Sequence, residues 1–169
     1  MPSLPRRKIL QASAAVAATA AVGGLGAWAT APEAAPAHAF TLLEGGSLHT
    51  AELQGRVALV NFWATSCVTC VAEMPQFVRL FQTFQASGLR MLAVAMQYDR
   101  PDYVAEFVRT RQLPFQIALD TQGEGARLWG EVQATPTTFL LDRQSQIVQR
   151  IVGAPDFAEL HTRIQRLLA

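Results

Sequence analysis

From Phe40 onward, apolar positions fall into two periods, near-continuous runs of strand length and spacings of three and four that mark helices. Phe40 to Leu43 and Ser47 to Thr50 flank Gly45-Gly46 and predict a small hairpin. Val57 to Trp63, rich in β-branched and apolar residues, reads as a buried strand. Val71, Met74, Phe77, Val78, Phe81 and Phe84 then recur at helical spacing. That helix should bend at Pro75, which lacks an N–H and crowds the preceding turn, and should end near Ser87-Gly88. Leu89 to Met96 has the nearly unbroken apolar character of a strand covered on both faces. Asp99 and Pro101 open a second helix, carrying Tyr103, Val104, Phe107 and Val108, which Leu113-Pro114 terminates. Phe115 to Leu119 is a further strand, followed by a short helix around Ala126 to Trp129. Val132 to Asp142 contains a strand preceded by a proline, and Ile147 to Val152 can pair with it across the polar turn Asp142 to Gln146. A last helix places Phe157, Leu160, Ile164, Leu167 and Leu168 on one face. Strands separated by helices predict an α/β sheet whose last two strands form an antiparallel hairpin.

Ahead of Phe40 the pattern gives way to an address. Pro5-Arg6-Arg7-Lys8-Ile9-Leu10 is a basic opening, followed by an Ala/Gly/Val run through Trp28 and by the small-x-small triplet Ala37-His38-Ala39. Adjacent arginines before two aliphatic residues, with a weakly hydrophobic run containing Gly23, Gly24 and Gly26, predict export by a twin-arginine route. The general secretory route is the alternative. Cleavage is expected after Ala39, or else the segment stays as a membrane anchor, so residues 1–39 are expected to be signal or anchor and 40–169 one domain outside the cytoplasm. A bacterial periplasm is the expected location, and there disulfides persist.

Composition narrows the function. Half of the 169 residues are hydrophobic, enough for an ordinary packed core, and the formal net charge of +1 with scattered arginines argues against a nucleic-acid surface. Lys8 is the only lysine, so no lysine can tune the downstream chemistry.

That chemistry is carried by Cys67 and Cys70, the only cysteines, at a predicted strand-to-helix junction. A cysteine at a helix N-terminus faces unpaired backbone N–H groups and the positive end of the helix dipole, which favour thiolate and make it the attacking sulfur. Two intervening residues leave the second thiol close enough to close a disulfide. Cys67 is therefore expected to attack and Cys70 to resolve, exchanging two electrons with another dithiol. Two cysteines are also half a zinc site, but His49 and His161 lie in distant elements without ligand spacing. An inert structural disulfide would be a poor use of the pair, because so short a loop constrains the unfolded chain little. A metallochaperone holding Cu(I) through both sulfurs and a peroxiredoxin-like peroxidase remain as alternatives; the latter lacks the upstream proline pattern before Thr65.

Four features taken in order resemble the thioredoxin superfamily, and within it the exported TlpA/ResA-like thiol-disulfide oxidoreductases: Asn61-Phe62-Trp63-Ala64-Thr65, Cys67-x-x-Cys70, Glu73-Met74-Pro75 and Thr135-Pro136-Thr137-Thr138-Phe139. The resemblance covers residues 40–169. It implies a thioredoxin fold, a central mixed sheet flanked by helices with an N-terminal hairpin and an inserted helix-strand unit at Pro101 to Leu119. It also implies that Pro136 is a cis-proline facing the disulfide, and that Thr135 offers backbone groups to an incoming peptide. Trp63 is the third substrate-side candidate, as packing beneath the site. Glu73 matches an acidic residue kept near the cysteines, where its negative charge should raise thiol pKa values and it could exchange the proton of Cys70. Asn61 takes the place of a titratable aspartate. Ser66 stands where the family usually has tryptophan, Val68-Thr69 replaces a proline-containing dipeptide, and Val71 stands where a basic residue is frequent. Without a histidine in that dipeptide no imidazolium stabilises the Cys67 thiolate, which points to a reductase of protein disulfides. The resemblance further implies a membrane thiol transporter of the DsbD/CcdA type as electron donor. It implies substrates such as apocytochrome c or copper-site assembly proteins. The chemistry needs no cofactor and no metal.

Overall fold

The computed structural model of the chain describes residues 33–169. Residues 1–32 of the proposed export segment, with its arginine pair and Ala/Gly/Val run, lie outside the described residues, whereas residues 33–39, with the Ala37-His38-Ala39 triplet, are described. Among the described residues no helix is long and apolar enough to cross a membrane.

Among the described residues, eight strands form one mixed sheet. In chain order they are β1 (Glu33–Ala34), β2 (Ala39–Leu42), β3 (Ser47–His49), β4 (Ala58–Trp63), β5 (Arg90–Ala95), β6 (Gln116–Leu119), β7 (Thr137–Leu141) and β8 (Gln146–Val152), and across the sheet they run β1-β8-β7-β4-β5-β6-β2-β3. β4, β5 and β6 are parallel neighbours, with Phe62 opposite Val94 and Val94 opposite Ala118. β7 lies antiparallel to β4 on its other side. Every residue of β4 is buried, which explains why its sequence is an apolar run and not an alternation. The β2–β3 hairpin and the β7–β8 hairpin fall where the turn residues predict them. In the second, the Asp142 carboxylate accepts hydrogen bonds from the Gln144 and Gln146 backbone N–H groups, the local bonding by which aspartate shapes a turn.

Among the described residues, four α-helices cover this sheet: α1 (Val68–Phe84), α2 (Pro101–Arg111), α3 (Glu124–Leu128) and α4 (Phe157–Leu168). The two-residue period of the strands divides the core. Leu59 and Trp63 of β4 with Met91, Ala93 and Ala95 of β5 pack against Met74, Phe77 and Phe81 of α1, Val104 of α2, and Leu160 and Ile164 of α4. The alternate residues Val60, Phe62, Leu92 and Val94 pack with Phe40, Trp129 and Phe139 on the opposite face. There Phe62, Trp129 and Phe139 meet with ring centroids 5.2–6.1 Å apart, in tilted and edge-on arrangements favoured by aromatic quadrupoles. Gly125 of α3 has no room for a side chain, since a Cβ there would sit 2.9 Å from the Phe40 ring.

The helix boundaries follow local chemistry. α1 continues through Pro75 and gives way to a 3-10 turn, Gln85–Ser87, closed by Gly88 at φ +103, a left-handed conformation that glycine adopts without steric penalty. Asp156 caps α4 by accepting from the Ala158 and Glu159 N–H groups. At α2 the expectation is corrected. Arg100 is the N-cap, Pro101 begins the helix, and the Asp99 side chain turns elsewhere. The chain before Phe40 also contributes pairing that its Ala/Pro-rich composition hides: Glu33 and Ala34 lie opposite Ile147 and Gln146 of β8.

Candidate active site

β4 delivers the chain to the cysteines and α1 receives it. Cys67 is the N-cap of α1, in extended conformation, and its Sγ accepts a hydrogen bond of 3.2 Å from the Cys70 backbone N–H. One of the four donors that a helix start leaves unpaired is thus aimed at the sulfur expected to carry negative charge. Cys67 and Cys70 form a disulfide with a Cα–Cα distance of 5.2 Å. The two sulfurs are not equivalent, because Cys70 has no accessible surface whereas Cys67 is partly exposed. Of the two sulfurs, only that of Cys67 is therefore open to an external disulfide.

A second wall comes from the chain entering β7. Thr135-Pro136 is a cis peptide, and the Thr135 carbonyl oxygen lies 3.5 Å from Cys67 Sγ. The loop is pinned on both sides, by the Thr137 hydroxyl donating to the Ala134 carbonyl at 2.7 Å and by the Gly153 N–H donating to the Pro136 carbonyl at 2.8 Å. The Thr135 carbonyl therefore stands beside the Cys67 sulfur, with the cis bond to Pro136 directly after it.

Trp63 does not share that position. It is completely buried, packing against Phe107 of α2 with ring centroids 5.2 Å apart, and supports the cysteine loop from below. A side chain without accessible surface cannot line a peptide site, so its substrate-side assignment is corrected to core.

Glu73 lies one helical turn beyond Cys70 and is only 3% exposed, which excludes a solvated surface role. Neither of its carboxyl oxygens has a hydrogen-bond partner among the described residues. Burial of an unpaired carboxyl disfavours its charged form and pushes Glu73 up to about 7, with the Asn61 side chain drawing it part of the way back. The carboxyl beside the cysteines is therefore a group that gains or loses a proton near neutrality. Asn61, wholly buried in β4, donates from Nδ2 to the Thr138 hydroxyl at 2.9 Å across the β4–β7 pairing. Its amide keeps the space between α1 and the sheet polar without itself titrating.

Sequence reasoning missed two contributors. Asp99, read there only as a helix opener, accepts from both the backbone N–H and the hydroxyl of Thr65, each at 2.6 Å. Tyr98 beside it has its hydroxyl 3.2 Å from the Thr135 hydroxyl. Separations of 34 and 37 residues leave no local signal for either contact. A cavity of about 510 Å³ lined by Leu43, Arg90, Val108 and Phe115 includes none of these site residues. Among the described residues no group of three or more His, Cys, Asp or Glu is placed to hold a metal ion.

Comparison with known proteins gives a consistent result. The profile of the family described as Redoxin matches residues 30–164. Curated relatives include the thiol-disulfide oxidoreductase ResA of Bacillus anthracis, 30% identical over 136 residues, covering 79% of this chain and 76% of the relative. The ResA of Geobacillus thermodenitrificans is 32% identical over 119 residues, 70% of this chain and 67% of that one. Among solved structures, a Chlorobium tepidum protein provisionally assigned as the thiol:disulfide interchange protein DsbE superposes with a TM-score of 0.73 at 28% identity, covering 82% of this chain and 97% of that one. A Neisseria meningitidis protein provisionally assigned as a thioredoxin gives 0.75 at 33% identity, covering 80% and 90%.

Proposed function

Because this chain belongs to the redoxin family of the thioredoxin superfamily and is a ResA-like thiol-disulfide oxidoreductase, we propose that it acts as a reductase of protein disulfides outside the cytoplasm. The observation that carries this reading is the asymmetric pair: Cys67 partly exposed at the helix N-terminus against the Thr135 carbonyl, and Cys70 buried one turn on. In the reduced protein, Cys67 thiolate attacks one sulfur of a substrate disulfide. A Cys67–substrate disulfide forms as the other substrate sulfur leaves and takes a proton. Cys70 then loses its proton and attacks Cys67 Sγ, releasing the second substrate thiol and leaving Cys67–Cys70 oxidised. Two electrons have passed to the substrate. Glu73, held up to about 7, is matched to accept the Cys70 proton near neutral pH.

The direction of transfer is supported by what flanks Cys67. Val68 and Thr69 supply no cation, and stabilisation of the reduced form by a neighbouring positive charge is what makes strong oxidants of this chemistry. Each turnover leaves a disulfide, so a dithiol must regenerate the enzyme; a membrane thiol transporter of the DsbD/CcdA type fits an exported domain, with apocytochrome c or copper-site assembly proteins as substrates. Export through residues 1–39 has a structural corollary. Cleavage after Ala39 would remove β1 together with the Ala35–Ser145 and His38–Thr50 hydrogen bonds, which belong to the folded domain. The deciding experiment is the reduction potential of the Cys67–Cys70 couple, equilibrated against glutathione or dithiothreitol. A value near about −270 mV, as in thioredoxin, supports a reductase, and one near about −120 mV overturns it.

A further inference from the structure

The loop between β5 and α2 touches both walls of the disulfide. On one side Asp99 holds Thr65, in the segment running from β4 into Cys67, through two hydrogen bonds of 2.6 Å to the backbone N–H and the hydroxyl. Such short bonds to an ionised carboxylate are the strong class of protein hydrogen bond. On the other side the Tyr98 hydroxyl is 3.2 Å from the hydroxyl of Thr135, whose carbonyl stands 3.5 Å from Cys67 Sγ. The backbone from Thr65 to Cys67 completes a ring: Cys67, Thr65, Asp99, Tyr98, Thr135 and back to the sulfur. Asp99 is itself seated by its own N–H, which donates to the Met96 carbonyl at the end of β5.

We infer that Tyr98 and Asp99 are positioning residues for disulfide exchange: this brace fixes the separation between the Cys67 segment and the Thr135–Pro136 loop, and so the slot through which a peptide disulfide reaches Cys67 Sγ. The inference deepens, and rests on, the reading of the chain as a protein-disulfide reductase. Tyr98 also forms the rim. Its side chain is 57% exposed, and two other exposed large apolar side chains flank the same site: Val68 at 83%, next to Cys67, and Val152 at 61%, opposite Thr137 at the end of β8. Ser66 adds only a hydroxyl, so Tyr98 is the aromatic face offered to the substrate. The chemistry of this rim fits a disulfide flanked by uncharged, apolar residues.

A position-dependent role and a merely structural one separate when the same sulfur is probed with electrophiles of different size. Reduced wild type, Tyr98→Phe, Asp99→Asn and the double variant are reacted with iodoacetamide, which needs no slot, and with a short peptide disulfide with apolar flanks. Loss of the single Tyr98 hydroxyl bond should lower the peptide rate constant about fivefold. Weakening the charged clamp at Asp99 should lower it about tenfold. The double variant should lose less than the product of the two effects, because both belong to one brace. Iodoacetamide rates should stay within about twofold of wild type, since the N-terminal donors beside Cys67 are retained. Peptide rates equal to wild type, or peptide and iodoacetamide rates falling in parallel, overturn the brace and leave the reductase reading intact. A wild type that reacts with iodoacetamide but with no peptide disulfide overturns the reductase reading, and the brace with it.

Discussion

Replacing Glu73 by Gln removes one ionisable group while keeping the shape of a side chain that is 3% exposed, so its consequence can be worked through to a number. In the unfolded chain the carboxyl titrates at its ordinary 4.5, and in the folded protein burial moves it to about 7. The folded state therefore holds its proton more tightly. Below about 4.5 the group is neutral in both states and costs nothing. As pH rises from there the unfolded chain ionises first, and stability falls until pH passes the folded value. At ~1.4 kcal/mol per pH unit the full loss is about 3 kcal/mol, reached above about pH 8. Gln has no such loss. Urea unfolding of the oxidised proteins, in which neither cysteine titrates, should show the variant gaining on wild type by about 3 kcal/mol between about pH 4 and about pH 8.5. With a typical slope that is a relative midpoint shift of between about 1 and 2 M urea. The exposed pairs Arg100–Asp102 and Arg109–Glu106 are common to both proteins and cancel in the difference. Any fixed cost of burying the Gln amide also cancels, because the diagnostic is the change with pH and not the offset. Parallel curves for the two proteins across that range would refute a carboxyl whose ionisation opposes folding.

The same substitution should register on the thiols. With the carboxylate removed, alkylation of the reduced protein by iodoacetamide should begin at lower pH than in wild type, since a negative charge forming at Glu73 opposes a second one on a neighbouring sulfur; coincident profiles would separate Glu73 from the cysteines. A chain beginning at Phe40 lacks β1, the Ala35–Ser145 bond and the His38–Thr50 bonds, and should melt about 10 °C below one beginning at Glu33, on about 1 kcal/mol for each of at least three lost hydrogen bonds. Equal melting temperatures would show that residues 33–39 add nothing to the fold.

Much of this site was legible before any coordinates because its logic is local. The apolar run Val57 to Trp63, the helical spacing after Cys70 and the Cys67–Cys70 interval place two sulfurs at a helix start from sequence alone, and β4, α1 and the disulfide lie there. What escaped depends on packing. Spacing puts Glu73 one turn from Cys70, but its burial is decided by how α1 settles on β4, and that burial is what raises the carboxyl to about 7. The sequence reads Trp63 as packing beneath the site while counting it on the substrate side, and Phe107 of α2, packed against it, leaves it only the first role. Asp99 before Pro101 has the residue type of a helix cap, and only the return of β5 to the level of Thr65 gives its carboxylate a better pair of donors. β1 is two residues long in an Ala/Pro-rich stretch, too short to carry a periodic signal.

The central claim is that Cys67 attacks a partner's disulfide and Cys70 resolves the product. Incubating reduced Cys70→Ser protein with a peptide disulfide and reading intact masses tests it in one step. The account predicts a stable adduct of one half of the peptide, mapped by digestion to Cys67, while reduced wild type gives only its own Cys67–Cys70 disulfide and free peptide thiol. Failure of the variant to form any adduct, with Cys67 still open to iodoacetamide, would contradict it.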